Sequence, residues 1–140
     1  MTLPALDVVQ SWIDDSPYNS WLGLRVTELT GISITFETEA RPEWRTTVEP
    51  PVVHGGILAA LLDTAADFAL VGTIGKPVPT IDLTVHYLRG AAVGPLTVVG
   101  RLIKPGSQIA TAEAEVIGAD GKVVAIGRGT FLASAAGAGA

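Results

Sequence analysis

The run Val53-His54-Gly55-Gly56-Ile57-Leu58-Ala59-Ala60-Leu61-Leu62-Asp63-Thr64-Ala65-Ala66-Asp67-Phe68-Ala69-Leu70 is the one stretch of this chain long and apolar enough to make a buried central helix. The rest must pack around it. Gly55 and Gly56 let the backbone turn tightly into the helix and leave its first N–H groups uncovered by side chains, at the positive end of the helix dipole. Such an end accepts an anion or a developing oxyanion. Asp63 and Asp67, one turn apart, share a face with Ala60 and Thr64, whereas Leu58, Leu61, Leu62, Ala65 and Ala69 form an apolar stripe on the other side. The helix therefore has a packing face and a small acidic face. A carboxylate in so apolar a helix is costly without a partner or a purpose.

Gly55 and Asp63 are separated by roughly 12 Å of helix, at about 1.5 Å per residue. One helix cannot bring its own N-terminal N–H and its own Asp63 to the same carbonyl carbon. If both act on one substrate, two chains must supply them, and an antiparallel pair about a two-fold axis gives two equivalent sites.

Composition limits the remaining possibilities. A chain of 140 residues, 48% hydrophobic, fits one compact domain with a sizeable core. The formal charge of −5 argues against a nucleic-acid or anionic-membrane surface. With no cysteine and only His54 and His86, disulfides, a cysteine nucleophile and a histidine-built metal site are not expected. The start Met1-Thr2-Leu3-Pro4 lacks a basic segment followed by an apolar one, and no apolar run of membrane-spanning length is free of Asp, Gly or Pro. A cytoplasmic protein is the expectation.

Read in order, residues 4–14 form an amphipathic helix that breaks at Ser16-Pro17. Residues 21–29 and 32–39 alternate as an antiparallel hairpin, and 41–53, with Pro42, Pro50 and Pro51, is a loop. After the helix, Gly72 and Gly75-Lys76-Pro77 give stop signals. Strands are expected at 80–88, 96–103, 108–117 and 123–132. Residues 134–140 read as a disordered tail. A sheet curling around one buried helix satisfies this order. Apolar pairs such as Val98-Val99 and Val123-Val124 leave the outer face short of polar residues, so association is expected.

The chain resembles the hotdog-fold acyl-CoA thioesterases, in the PaaI-like branch of the 4-hydroxybenzoyl-CoA thioesterase superfamily. The resemblance rests on His54-Gly55-Gly56, the following Leu61-Leu62-Asp63-Thr64-Ala65, and the downstream strand Thr80-Ile81-Asp82-Leu83-Thr84-Val85-His86-Tyr87-Leu88. It implies an α+β hotdog domain over residues 1–133, hydrolysis of an acyl-CoA with a small, medium-chain or aryl acyl group, and no cofactor. By the same resemblance, Asp63 is the general base or the nucleophile and Gly55 N–H polarises the thioester oxygen. Gly56 permits close approach, His54 lies near the sulfur, and Thr80 holds the attacking water. The family's sites lie at dimer interfaces, so a homodimer or dimer of dimers is implied.

Several relatives carry an asparagine six positions before the histidine; that region here is Thr47-Val48-Glu49-Pro50-Pro51. Asp67 is a candidate substrate contact, and Arg89, Arg101, Lys104 and Arg128 are candidates for the coenzyme A phosphates. His86, on the polar alternation of its strand, reads as a structural or surface residue. A non-catalytic acyl-CoA-binding protein is the alternative, with an enoyl-CoA hydratase behind it.

Overall fold

The structure, a computed structural model, describes residues 2–137. It opens with helix α1 (Leu6–Asp15), which buries Val9 and Ile13 one turn apart. A second short helix, α2 (Pro17–Trp21), follows at once, where the sequence suggests only a break before a strand beginning at Trp21. Ser16-Pro17 ends one helix and starts another, because Ser16 Oγ accepts the Asn19 N–H at 3.4 Å and Pro17 occupies the first turn, where a missing N–H costs nothing. Strands β1 (Arg25–Leu29) and β2 (Ser33–Glu39) form the expected hairpin.

The proline-rich stretch read as a loop holds a 3₁₀ turn at Pro42–Trp44 and a small hairpin, β3 (Arg45–Thr47) with β4 (Val52–Val53). The central helix is α3 (Gly55–Phe68), and a further turn, α4 (Val71–Ile74), closes on Gly75 at φ 96°. Gly72 lies inside that turn; Gly75 supplies the left-handed stop. Four strands complete the chain: β5 (Thr80–Tyr87), β6 (Pro95–Lys104), β7 (Ile109–Ile117) and β8 (Val123–Leu132).

The six long strands form one antiparallel sheet in the order β1-β2-β6-β7-β8-β5, and α3 lies across its middle against β6, β7 and β8. This is the hotdog architecture. The close approach of α3 depends on small residues beneath it. The inward face of β7 is Ala110, Ala112, Ala114 and Val116, all buried, and a Cβ at Gly100 of β6 would lie 2.0 Å from the Ala65 carbonyl oxygen. Leu61, Leu62 and Ala65 are fully buried in the resulting core with Ile34, Phe36 and Phe131. From Gly55 to Ile74 the two helices span 20 residues apolar enough to cross a bilayer by length and composition, yet half of the most apolar window is buried in the protein.

The two edges of the sheet differ. Along β1, Gln10 of α1 acts as a short stand-in strand: its Nε2 donates to the Leu24 carbonyl at 2.9 Å and its Oε1 accepts the Val26 N–H at 2.8 Å. The β5 edge is open among the described residues and carries exposed Ile81 and Tyr87, with Leu88 just beyond.

Two expectations require correction. Val98 and Val124 face the core rather than the outer surface; Val124 is buried directly before Ala125, next to a register shift in the β7–β8 ladder. Exposed apolar residues on the sheet include Ile81 and Tyr87 of the open-edge strand β5 and Ile126 and Leu132 of its neighbour β8. Of the expected tail, residues up to Gly137 are folded: Ala133–Gly137 is a 3₁₀ turn with Ala133 buried and the Ser134 N–H bonded to the Gln108 carbonyl at 3.2 Å. Residues 138–140 lie outside the described part of the chain.

Candidate active site

His54 caps α3, its Nδ1 accepting the Gly56 N–H at 2.8 Å. That bond leaves the neutral ring with its hydrogen on Nε2, facing outward. The His54 carbonyl takes the Ile57 and Leu58 N–H groups at 3.0 and 3.3 Å. Three of the first four N–H groups of the helix are therefore engaged, and among the described residues none accepts the fourth, that of Gly55. The glycines divide their roles accordingly. A Cβ at Gly56 would lie 3.0 Å from His54 Nδ1, so residue 56 is bare to admit the capping imidazole; one at Gly55 would lie 3.2 Å from the Tyr87 ring. The hairpin before the helix is tied down by the His54 N–H, which donates to the carbonyl of buried Trp44 at 2.7 Å.

Asp63 is half-buried two turns along α3, and the Thr80 hydroxyl donates to its Oδ1 at 2.6 Å. Thr80 opens β5, and Tyr87, which closes the same strand, donates its hydroxyl to the Gly55 carbonyl at 2.7 Å. One edge strand thus touches both chemical ends of α3.

Asp67 faces inward from the next turn, and its Oδ1 accepts the Val78 N–H at 2.8 Å. Burial pushes its carboxyl up to about 7; the Val78 bond opposes the rise and the Asp63 charge adds to it. Asp67 therefore braces the turn between α4 and β5.

The basic candidates are spread out. Arg89 lies just beyond Tyr87 and its Nε donates to the Val123 carbonyl at 3.2 Å. Lys104 is exposed at the far end of β6, with β7 and β8 between it and β5. Arg101 and Arg128 pair with Glu115 and Glu113 at 3.3 and 3.1 Å on the outer face. A groove of about 490 Å³ on that face, lined by Asp82, His86, Glu113 and Arg128 among others, lies away from Asp63 and Gly55. His86 is a surface residue.

Val48, six positions before His54, sits 76% exposed at the tip of the β3–β4 hairpin. An amide does approach α3 from elsewhere: Asn19 of α2 accepts the Thr64 hydroxyl at 3.2 Å. Neither Asn19 nor Tyr87 stands out as a site residue in the sequence. The available signal for Tyr87 is its phenol on the inward parity of β5, after Leu83 and Val85, which calls for a partner.

Comparison with known proteins identifies the family. The thioesterase superfamily pattern matches residues 51–125, from the hairpin through the first residues of β8. The chain belongs to the thioesterase superfamily. A protein of Halobacterium salinarum carrying an esterase name is 35% identical over 91% of both chains. The medium/long-chain acyl-CoA thioesterase YigI of Salmonella typhimurium is 26% identical, covering 89% of this chain and 90% of its own. Among solved structures, a protein from the thioesterase superfamily is 40% identical over 91% of this chain and 96% of its own, with a TM-score of 0.87. Within the superfamily fold, Gly55 starts α3 and Asp63 lies two turns further along it, and each is bonded by a residue at one end of β5.

Proposed function

We propose that this protein hydrolyses acyl-CoA thioesters at two sites formed between paired chains. The observation that carries the reading is the arrangement on β5: Thr80 with Asp63 at one end, Tyr87 with Gly55 at the other, and an unpaired edge between them. Antiparallel pairing of two β5 edges about a two-fold axis near Leu83 and Thr84 carries the Asp63 end of each chain to the Gly55 end of the other. It also covers exposed Ile81 and Tyr87. The names of relatives such as YigI support acyl-CoA as the substrate class.

Asp63 acts as a general base. Thr80 fixes Oδ1, leaving Oδ2 to take a proton from water as the water oxygen attacks the thioester carbon. The carbonyl oxygen becomes an oxyanion on the Gly55 N–H of the other chain. Collapse restores the carbonyl and breaks the C–S bond. The sulfur leaves as thiolate toward the Nε2–H of His54, and the proton held by Asp63 passes through solvent to the thiolate, giving free acid and coenzyme A and restoring the carboxylate. Arg89, near the Gly55 end, is the better placed of the basic candidates to meet a phosphate.

The test is thiol release from a panel of aryl, short-chain and medium-chain acyl-CoA substrates by wild type and Asp63→Asn. Release that falls at least about a hundredfold in the variant is expected. Saturable binding with no release by wild type would instead identify a binding protein.

A further inference from the structure

The peptide unit joining Gly55 to Gly56 is held at both ends. Its carbonyl accepts the Tyr87 hydroxyl at 2.7 Å and its N–H donates to His54 Nδ1 at 2.8 Å. The four groups form a chain: Tyr87 O–H to the Gly55 carbonyl, then Gly56 N–H to the His54 imidazole. Hydrogen bonds in series polarise one another, so the phenol strengthens the Gly56 donor on which the His54 cap depends. Two outward donors depend on this chain. Pinning the 55–56 peptide fixes the orientation of the preceding one, whose N–H is the free N–H of Gly55. Holding Nδ1 as an acceptor keeps the His54 hydrogen on Nε2.

We propose that Tyr87 is a positioning residue that presets both donors of the site, the Gly55 N–H and the His54 Nε2–H, through the Gly55 carbonyl. The inference rests on the reading of the α3 N-terminus as the thioester site. The packing supports it independently. The Tyr87 ring lies so close over residue 55 that a Cβ there would meet Cε1 and Cζ at 3.2 Å, so glycine at 55 is what lets the phenol reach the backbone. Preorganised donors help because their orientation is set before charge develops.

Tyr87→Phe keeps the ring and removes the hydroxyl. With the best thioester of the panel, kcat is expected to fall about tenfold with KM within about twofold, since the lost effect acts on donors that matter most in the transition state. A second readout needs no turnover. The chain has two histidines, so ¹⁵N-imidazole spectra of labelled protein separate His54 from His86, with His86→Gln fixing the assignment. With the imidazole in its neutral form, wild type should show His54 as the Nε2–H tautomer, and Tyr87→Phe a measurable rise in Nδ1–H.

Unchanged kcat together with an unchanged His54 tautomer overturns the inference while leaving Asp63→Asn to decide the thioesterase reading. If wild type releases no thiol from any substrate, the thioesterase reading falls, and the tautomer comparison still decides whether Tyr87 sets the His54 donor. A fall in kcat matched by an equal rise in KM and a lower Tm, with the tautomer unchanged, would reduce Tyr87 to a packing role and also overturn the inference.

Discussion

The Thr80 hydroxyl reaches Asp63 Oδ1 across 2.6 Å, joining the first residue of the edge strand to a carboxylate two turns into the central helix. A hydroxyl that donates to one carboxylate oxygen stops that group from rotating and still offers its own lone pairs to water. Thr80→Val, nearly the same in shape, should therefore lower kcat by about one to two orders of magnitude with little change in KM. Thr80→Ser should retain most of the rate. Steady-state kinetics on the two variants checks this, and equal losses in both would mean that shape rather than the hydroxyl is required.

Gly55 allows a backbone donor to be removed by mutation. It is the first residue of α3, where proline is tolerated, and His54 before it already has φ −60° and ψ 135°, a conformation compatible with a following proline. Gly55→Ala and Gly55→Pro both place a Cβ against the Tyr87 ring, but only proline loses the N–H. The Pro variant should be slower than the Ala variant by about a hundredfold or more, in the range found for loss of one oxyanion donor. Similar rates in the two would remove Gly55 N–H from the mechanism.

Much of this was readable in the sequence, and the failures share a cause. β2, β5, β6, β7 and β8 were legible because one face of each meets α3 or the core and the other meets solvent, so burial imposed period two. His54, Gly55 and Asp63 are candidates from the sequence because glycines and a carboxylate are out of place in an apolar helix, and the structure gives each a hydrogen-bonded partner. What could not be read depends on contacts between distant segments. The Tyr87 phenol finds a backbone carbonyl 32 positions away, and Asp67 finds the Val78 N–H across a turn. The inward turn of Val124 follows from a register irregularity in the β7–β8 ladder that alternation does not reveal. The β3–β4 hairpin is too short and too rich in proline to show any period.

Sites assembled from two chains should complement. Asp63→Asn lacks the base and Gly55→Pro lacks the donor, and a mixed pair brings both defects together at one site while leaving the other intact. Random pairing of equal amounts makes half the dimers mixed, each with one of two sites whole, so about a quarter of the wild-type rate should return after dissociation and reassociation. Thiol release is the measure. Recovery no greater than the sum of the separate variants would show that Asp63 of one chain and Gly55 of another do not serve a common site.

Asp67 should make stability fall with rising pH. Its carboxyl titrates at about 7 in the folded chain against 3.8 as the ordinary value, chiefly because burial disfavours the charge. Between those values the folded protein holds a proton that the unfolded chain has released, so each step up in pH favours unfolding; outside the window the effect is flat. The full span is on the order of 4 kcal/mol. Asp67→Asn keeps an oxygen for the Val78 N–H and has no charge to bury. The variant should therefore melt several degrees above wild type at pH 8, with the gap closing toward pH 4. Thermal melts of both proteins across that range measure it, and parallel curves would show that the Asp67 carboxylate is accommodated as well in the folded chain as in water.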